Sequence, residues 1–341
     1  MGGITMERIG RRSFVAGAAV IGSGLAAPAV LAQAPVKLKL GNDLPASHSV
    51  NVRLSEAITA IGEETGGRLS IGLFPNNQLG SDSDMLGQLR TGALEMATMP
   101  GTVLSTLIPA TSLTGVGFVF SGYDTVWPAM DGAVGDHIRA AIAKTNLVPF
   151  ERTWDNGFRQ ITSSTRQIKA PEDLRNFKIR VPVVPVWVSM FAALGAAPTS
   201  ISLSEAYSAL QTRIVDGQEN PLALIDATKF WEVQKYCALT NHAWDGFWLL
   251  ASRRVWAGVP AELQAVMQKH FNAAAIQQRA DNATASANVQ KVLEGKGLIF
   301  NTTDTASFRK ALAKTSFYAD WKAKLGADAW GLLEKAVGQI G

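Results

Sequence analysis

The chain is 341 residues long, 47% hydrophobic and 18% charged, enough to bury a substantial core and to form two domains. Its 32 basic and 28 acidic residues give a net charge of +4, and no basic stripe is left to neutralise a row of phosphates, which argues against nucleic acid as a partner. His48, His137, His242 and His270 form no i, i+4 pair and have no neighbouring cysteines, so the sequence offers no metal cluster.

In chain order, the first 32 residues read as an export signal. Arg8, Arg11 and Arg12 oppose only Glu7, the apolar run FVAGAAVIGSGLAAPAVLA follows, and Val30-Leu31-Ala32 forms a boundary before Gln33. Arg11 and Arg12 ahead of Ser13-Phe14-Val15 resemble a twin-arginine signal. Glycines and Pro28 in so short a run argue against a spanning helix. Without this segment 29 basic and 27 acidic residues remain, and the mature chain is expected in the periplasm. The single Cys237 cannot form an internal disulfide.

Strands and helices then alternate. VKLKLGND alternates apolar and polar residues as a strand does, and Val50, Leu54, Ala57, Ile58 and Ile61 fall at helical spacing within 48–64, a helix stopped by Gly66-Gly67. RLSIGLF is a second strand, SDSDMLGQLRTG a second helix opened by serine and aspartate, and ALEMATM a third strand. This order implies parallel pairing with crossovers, and such sheets bind ligands at the carboxyl ends of their strands. A helix over 123–144 and the strand LVPFE follow. The polar cluster Trp154-Asp155-Asn156-Gly157 reads as a turn where the chain crosses into a second domain.

GFRQITSS, NFKIRVP, a helix over 204–211 and RIVDGQ give that domain its own α/β series, and Ser202 three residues before Glu205 has capping-box spacing. After Pro260 neither proline nor glycine interrupts the chain until Gly295, which predicts a helix long enough to run across both domains. The stretch 303–336 completes one of them. The expected division is 33–156 plus 246–285 for the first domain and 157–245 plus 286–341 for the second.

Motifs of catalysis are missing: there is no G-x-S-x-G elbow, Walker loop, H-E-x-x-H or strand-linked G-x-G-x-x-G. Cys237, five residues before His242, lies in an apolar context that suits inert packing. Asp82 and Asp84 open a helix, where they offset its positive end. Two arginines stand out, Arg159 in GFRQITSS and Arg180 in KIRVP, each interrupting an apolar alternation near a strand end. A guanidinium that leaves water needs an anion or carbonyls around it, and its planar fork fits a carboxylate through two parallel bonds. An internal salt bridge to Asp or Glu would satisfy it as well.

NGFRQITSS, IKAPEDLRNFKIRVP, LGAAPTSISLSEAYSALQTRIVDGQENPL and KFWEVQKYCALTNH occur in that order, and NNQLGSDSDMLGQLRTGALEMA extends the pattern into the first half. Together they resemble the substrate-binding proteins of the tripartite ATP-independent periplasmic (TRAP) transporters, the DctP-like family, in the branch that includes C4-dicarboxylate and sialic-acid binders. The resemblance implies an α/β, two-domain periplasmic solute-binding fold of type II-like organisation, with central mixed sheets, an interdomain cleft and a long domain-spanning helix. It also implies a monomeric receptor that needs no cofactor, binds a small organic acid and delivers it to the small and large membrane subunits of a permease.

For the site, the resemblance implies Arg180 as the main clamp on the ligand carboxylate, Arg159 as a second donor and Asn220 as an amide reaching the same group. Asp216, Gln218 and Glu219 would serve the turn in VDGQENP and nearby backbone, and Pro221 would start the next helix. Asp43 and His48 would face the ligand after the first strand, and Trp244 is preferred over Trp154 and Trp187 as an aromatic wall. Pro100 stands where sialic-acid binders carry an acidic residue, and Leu203 where they present an aromatic one, which argues against sialic acid. The competing reading is an exported enzyme acting on a small carboxylate.

Overall fold

A computed structural model describes residues 34–341; the export signal expected over 1–32 lies outside them. Twelve strands among these residues form two six-stranded mixed sheets. The first five are β1 (Val36–Gly41), β2 (Leu69–Phe74), β3 (Met96–Pro100), β4 (Leu147–Pro149) and β5 (Trp154–Phe158). Next are β6 (Gln160–Ser163), β7 (Lys178–Val181), β8 (Ala197–Ser200), β9 (Gly217–Asn220) and β10 (Tyr236–Leu239), then β11 (Trp244–Ser252) and β12 (Ile299–Thr302).

The first sheet runs β2-β1-β3-β11-β4, with β5 also paired to β11; the second runs β12-β10-β6-β9-β7-β8. β1 pairs parallel with β2 and β3, and β7 parallel with β8 and β9, as the alternation of strands and helices requires. The chain passes from the first sheet to the second at a single residue, Arg159, between β5 and β6, and returns through 240–243 between β10 and β11.

Apolar periodicity explains the packing. Helix Ser49–Glu64 turns Val50, Leu54 and Ile61 onto the first sheet, where they meet Leu38 and Leu40 of β1. The long helix Ala261–Gly295 adds Leu263, Met267 and Phe271 to that core, each burial worth about 1.5–3 kcal/mol. Its far end contributes Leu293 to a separate core under the second sheet, together with Leu210, Ile225, Phe230 and Cys237. One helix therefore serves both lobes. Burial pushes the Cys237 thiol up, as inert packing requires. Among the described residues, no helix is long and apolar enough to cross a membrane.

Several expected elements differ. The helix over 123–144 is two, Tyr123–Met130 and Ala133–Ala143. Gly132 breaks it with extended dihedrals, at a point where a Cβ would lie 2.5 Å from the Pro128 carbonyl oxygen. Neither polar "turn" is a turn. Trp154–Phe158 is a strand paired with β11, and 217–220 of VDGQENP is β9, a fully buried strand between β6 and β7. The capping box expected at Ser202 does not form, because its hydroxyl bonds the Glu205 carboxylate at 2.7 Å instead of a backbone N–H. A complete box closes at Ser81 and Asp84.

Candidate functional site

The carboxyl ends of β1, β3, β7, β8 and β9 converge on one cleft between the sheets, as the topology of open α/β sheets dictates. Arg180 lies on β7 and is 1% exposed. Its Nε donates to the Ile201 carbonyl at 2.8 Å, while its buried Nη1 has no partner among the described residues. Burial lowers its pKa to about 10, with Glu219, Asp43 and Asp82 partly restoring the charged form. The guanidinium thus stays protonated at neutral pH.

Arg159 lines the same cleft and is held by the protein itself. Its Nε pairs with Glu219 Oε2, and Nη2 donates to Glu219 Oε1 at 3.0 Å, to the Glu219 carbonyl at 2.8 Å and to Asn220 Oδ1 at 2.8 Å. The fork lies over the Trp187 ring, 4.3 Å from its centroid, and that indole is fixed by a 2.9 Å bond to the Gly115 carbonyl. Burial pushes Glu219 up, but Arg159 and His242 outweigh it and hold the carboxyl below its ordinary range. His242 bonds Glu219 at 3.0 Å and Thr240 at 2.8 Å, and burial lowers its pKa.

Asn220 lines the cleft with both amide atoms engaged: Oδ1 accepts from Arg159 and Nδ2 donates to Gln218 Oε1 at 2.5 Å. Asp43 also lines it, with buried Oδ1 unpartnered, and burial lifts its pKa to about 6. His48 and Trp244 do not line the cleft. His48 caps helix Ser49–Glu64 through Nδ1, 3.3 Å from the Val50 N–H, and stands edge-on to Phe247, whose ring forms the wall. Trp244 is fully buried at the return crossing, where its Nε1 donates to Asp155 Oδ1 at 2.9 Å. Trp187 and Phe247 are the aromatic residues at the cleft, with Pro100 and Leu203 also lining it.

Asp82, Asp245 and Asn156 escaped sequence reasoning. Asp82 is half-buried as a residue, yet its Oδ1 is shut from solvent and unpartnered, and burial beside Asp43 raises its pKa well above the usual carboxylate range. Asp245 on β11 accepts from Thr102 Oγ1 at 2.7 Å and from Gly246 N at 2.9 Å, and burial lifts its pKa to about 7. Asn156 Oδ1 is buried and unpartnered. Asn156 and Asp245 lie on the crossing strands β5 and β11, and Asp82 opens the helix Asp82–Thr91; polar residues inside otherwise buried crossing strands were the available signal for the first two.

The family model described as bacterial extracellular solute-binding protein, family 7, matches residues 41–320. An uncharacterised protein of Sinorhizobium fredii is 36% identical over 82% of this chain, which spans about half, 52%, of that relative's length. A solute-binding protein of Roseobacter denitrificans is 34% identical over 85% of this chain and 88% of its own. Among solved structures, a TRAP periplasmic solute-binding protein from a Polaromonas species, bound to D-erythronate, superposes with a TM-score of 0.84 at 28% identity, covering 88% of this chain and 98% of that one.

Proposed function

Since the chain belongs to family 7 of the bacterial extracellular solute-binding proteins, we propose that it is the periplasmic receptor of a TRAP transporter, capturing a small organic acid between its two lobes. The observation that carries this reading is Arg180: a charged fork, 1% exposed, with a buried N–H that no group among the described residues accepts. A guanidinium in such a place has lost water without full replacement, and a ligand carboxylate supplies what is missing. Arg159, already paired with Glu219, is a stiff neighbour that orients Asn220 and repels excess positive charge, and its remaining contribution to the ligand is through Nη1.

Binding and closure then follow from the same contacts. One charge-assisted bond contributes about 1.5–3 kcal/mol, whereas micromolar affinity needs about 8 kcal/mol, so groups from both sheets must act together. Contacts drawn from both lobes favour the closed arrangement through its higher affinity for the ligand. A membrane permease of small and large subunits reads that closed monomer and takes the acid unchanged, with no turnover. Lysine reproduces the charge of Arg180 but not its two-point fork. Calorimetry of Arg180→Lys with an acid bound by the parent protein is expected to show a loss of at least about 100-fold in affinity, some 2.7 kcal/mol, with the thermal midpoint of the ligand-free fold little changed. Undiminished binding would remove Arg180 from the site.

A further inference from the structure

The cleft is chemically lopsided. From the second sheet, Arg180 offers a donor; the wall from the first sheet offers acceptors. Asp43 Oδ1, Asp82 Oδ1 and Asn156 Oδ1 are all buried without a partner among the described residues, all on residues that line this cleft, and Asp245 lines it too. Three carboxyls in one pocket cannot all carry charge cheaply, because like charges at close range suppress ionisation. Asp43 and Asp82 line the cleft together, and burial displaces both toward the protonated form. A pair sharing one proton presents both an O–H donor and free acceptor oxygens. Among the described residues these acids do not group in a way that would hold a metal ion.

Resting on the assignment of Arg180 as the carboxylate clamp, we infer that the site selects a monocarboxylic acid with hydroxyl groups along its chain, and that Asp43 and Asp82 exclude dicarboxylates. A hydroxyl matches this wall in both directions: it donates to an unpartnered carboxyl or amide oxygen and accepts from the shared acid proton. A second carboxylate only accepts, and would lie against Asp43, Asp82 and Asp245 as a like charge. An ammonium only donates, and would leave the acid O–H facing a group that cannot accept it. The apolar surfaces of Leu44, Val103, Val183 and Phe247 complete the lining and suit the C–H faces of a short polyol chain.

Calorimetry on the mature protein tests this with three matched series of four to six carbons: aldonates, α,ω-dicarboxylates and ω-amino acids. The best aldonate is expected to bind at least about 100-fold tighter than the dicarboxylate of equal length. The double variant Asp43→Asn, Asp82→Asn, which keeps volume and hydrogen-bonding capacity, is expected to narrow that gap to under about 10-fold by relieving repulsion of the dicarboxylate. A parent protein that binds a dicarboxylate or an ω-amino acid as tightly as any aldonate overturns the inference and leaves the receptor reading standing. So does an unchanged gap in a double variant whose melting curve shows it folded. Silence of the whole panel sinks the receptor reading itself, and this inference with it.

Discussion

Arg180 was legible because a charged residue inside an apolar strand alternation has no local excuse; burial without a full set of partners is its structural counterpart. Asp82 was not, because an acid at a helix start already has a reason to be there, and only the folding of β1 beside that helix gives it a second one. Asp245 shows how strongly the cleft acts on its own groups. Burial lifts it from 3.8 to about 7, so the native state holds a proton that the unfolded chain releases between those values. Its stabilising contribution is fully present below the unfolded pKa and is lost as pH rises through 7. Asp245→Asn has no such dependence. Urea titrations from pH 4 to 8 are expected to show the variant gaining on the parent by roughly 3–4 kcal/mol as pH rises; a pH-independent difference would contradict the burial of this carboxyl.

Among the elements, β5 and β9 defeated sequence reading for one shared reason. Both are short, polar and buried on every side, and an alternation rule built on apolar faces assigns such stretches to turns. Several of their polar groups are satisfied in the fold, Asp155 by Trp244 and Tyr123, Glu219 by Arg159 and His242, Gln218 by Thr162 at 2.8 Å, whereas Trp154 Nε1 and Asn156 Oδ1 on β5 have no partner among the described residues. β9 also carries the tightest packing constraint in the second sheet. A Cβ on Gly217 would lie 2.1 Å from the Thr162 carbonyl oxygen and 2.5 Å from the Phe177 ring, so the β6–β9 ladder can accept Gly217→Ala only by separating. Denaturant unfolding should register a loss of at least about 3 kcal/mol. The long helix, in contrast, was read nearly to the residue, since an uninterrupted run between Pro260 and Gly295 leaves few alternatives.

On the scale of the whole molecule, the two-lobed α/β architecture and its long spanning helix followed from the alternation of elements and the resemblance, while the core shared between the sheets did not. A single core runs from Leu113 and Trp244 through Phe177 and Trp187 to Trp330, drawing on segments far apart in the chain. A ligand that contacts both sides adds to this union. For an acid bound by the folded state alone, about 100 times the dissociation constant adds about 2.7 kcal/mol to the unfolding free energy. The thermal midpoint should rise by several degrees in the parent protein and hold still in Arg180→Lys at the same ligand concentration. A rise in both would place the binding elsewhere.

The 35-residue helix Ala261–Gly295 is anchored by Met267 and Phe271 in one lobe and by Leu293 in the other, with Gln278 and Asn282 tied to the Asp155 backbone at the crossing between them. If the lobes swing apart in the proposed capture cycle, a beam clamped to both must flex like a leaf spring. Elastic energy stored in its curvature would oppose gaping, set the resting angle of the jaws and carry news of occupancy to the rear of the molecule, far from the solute.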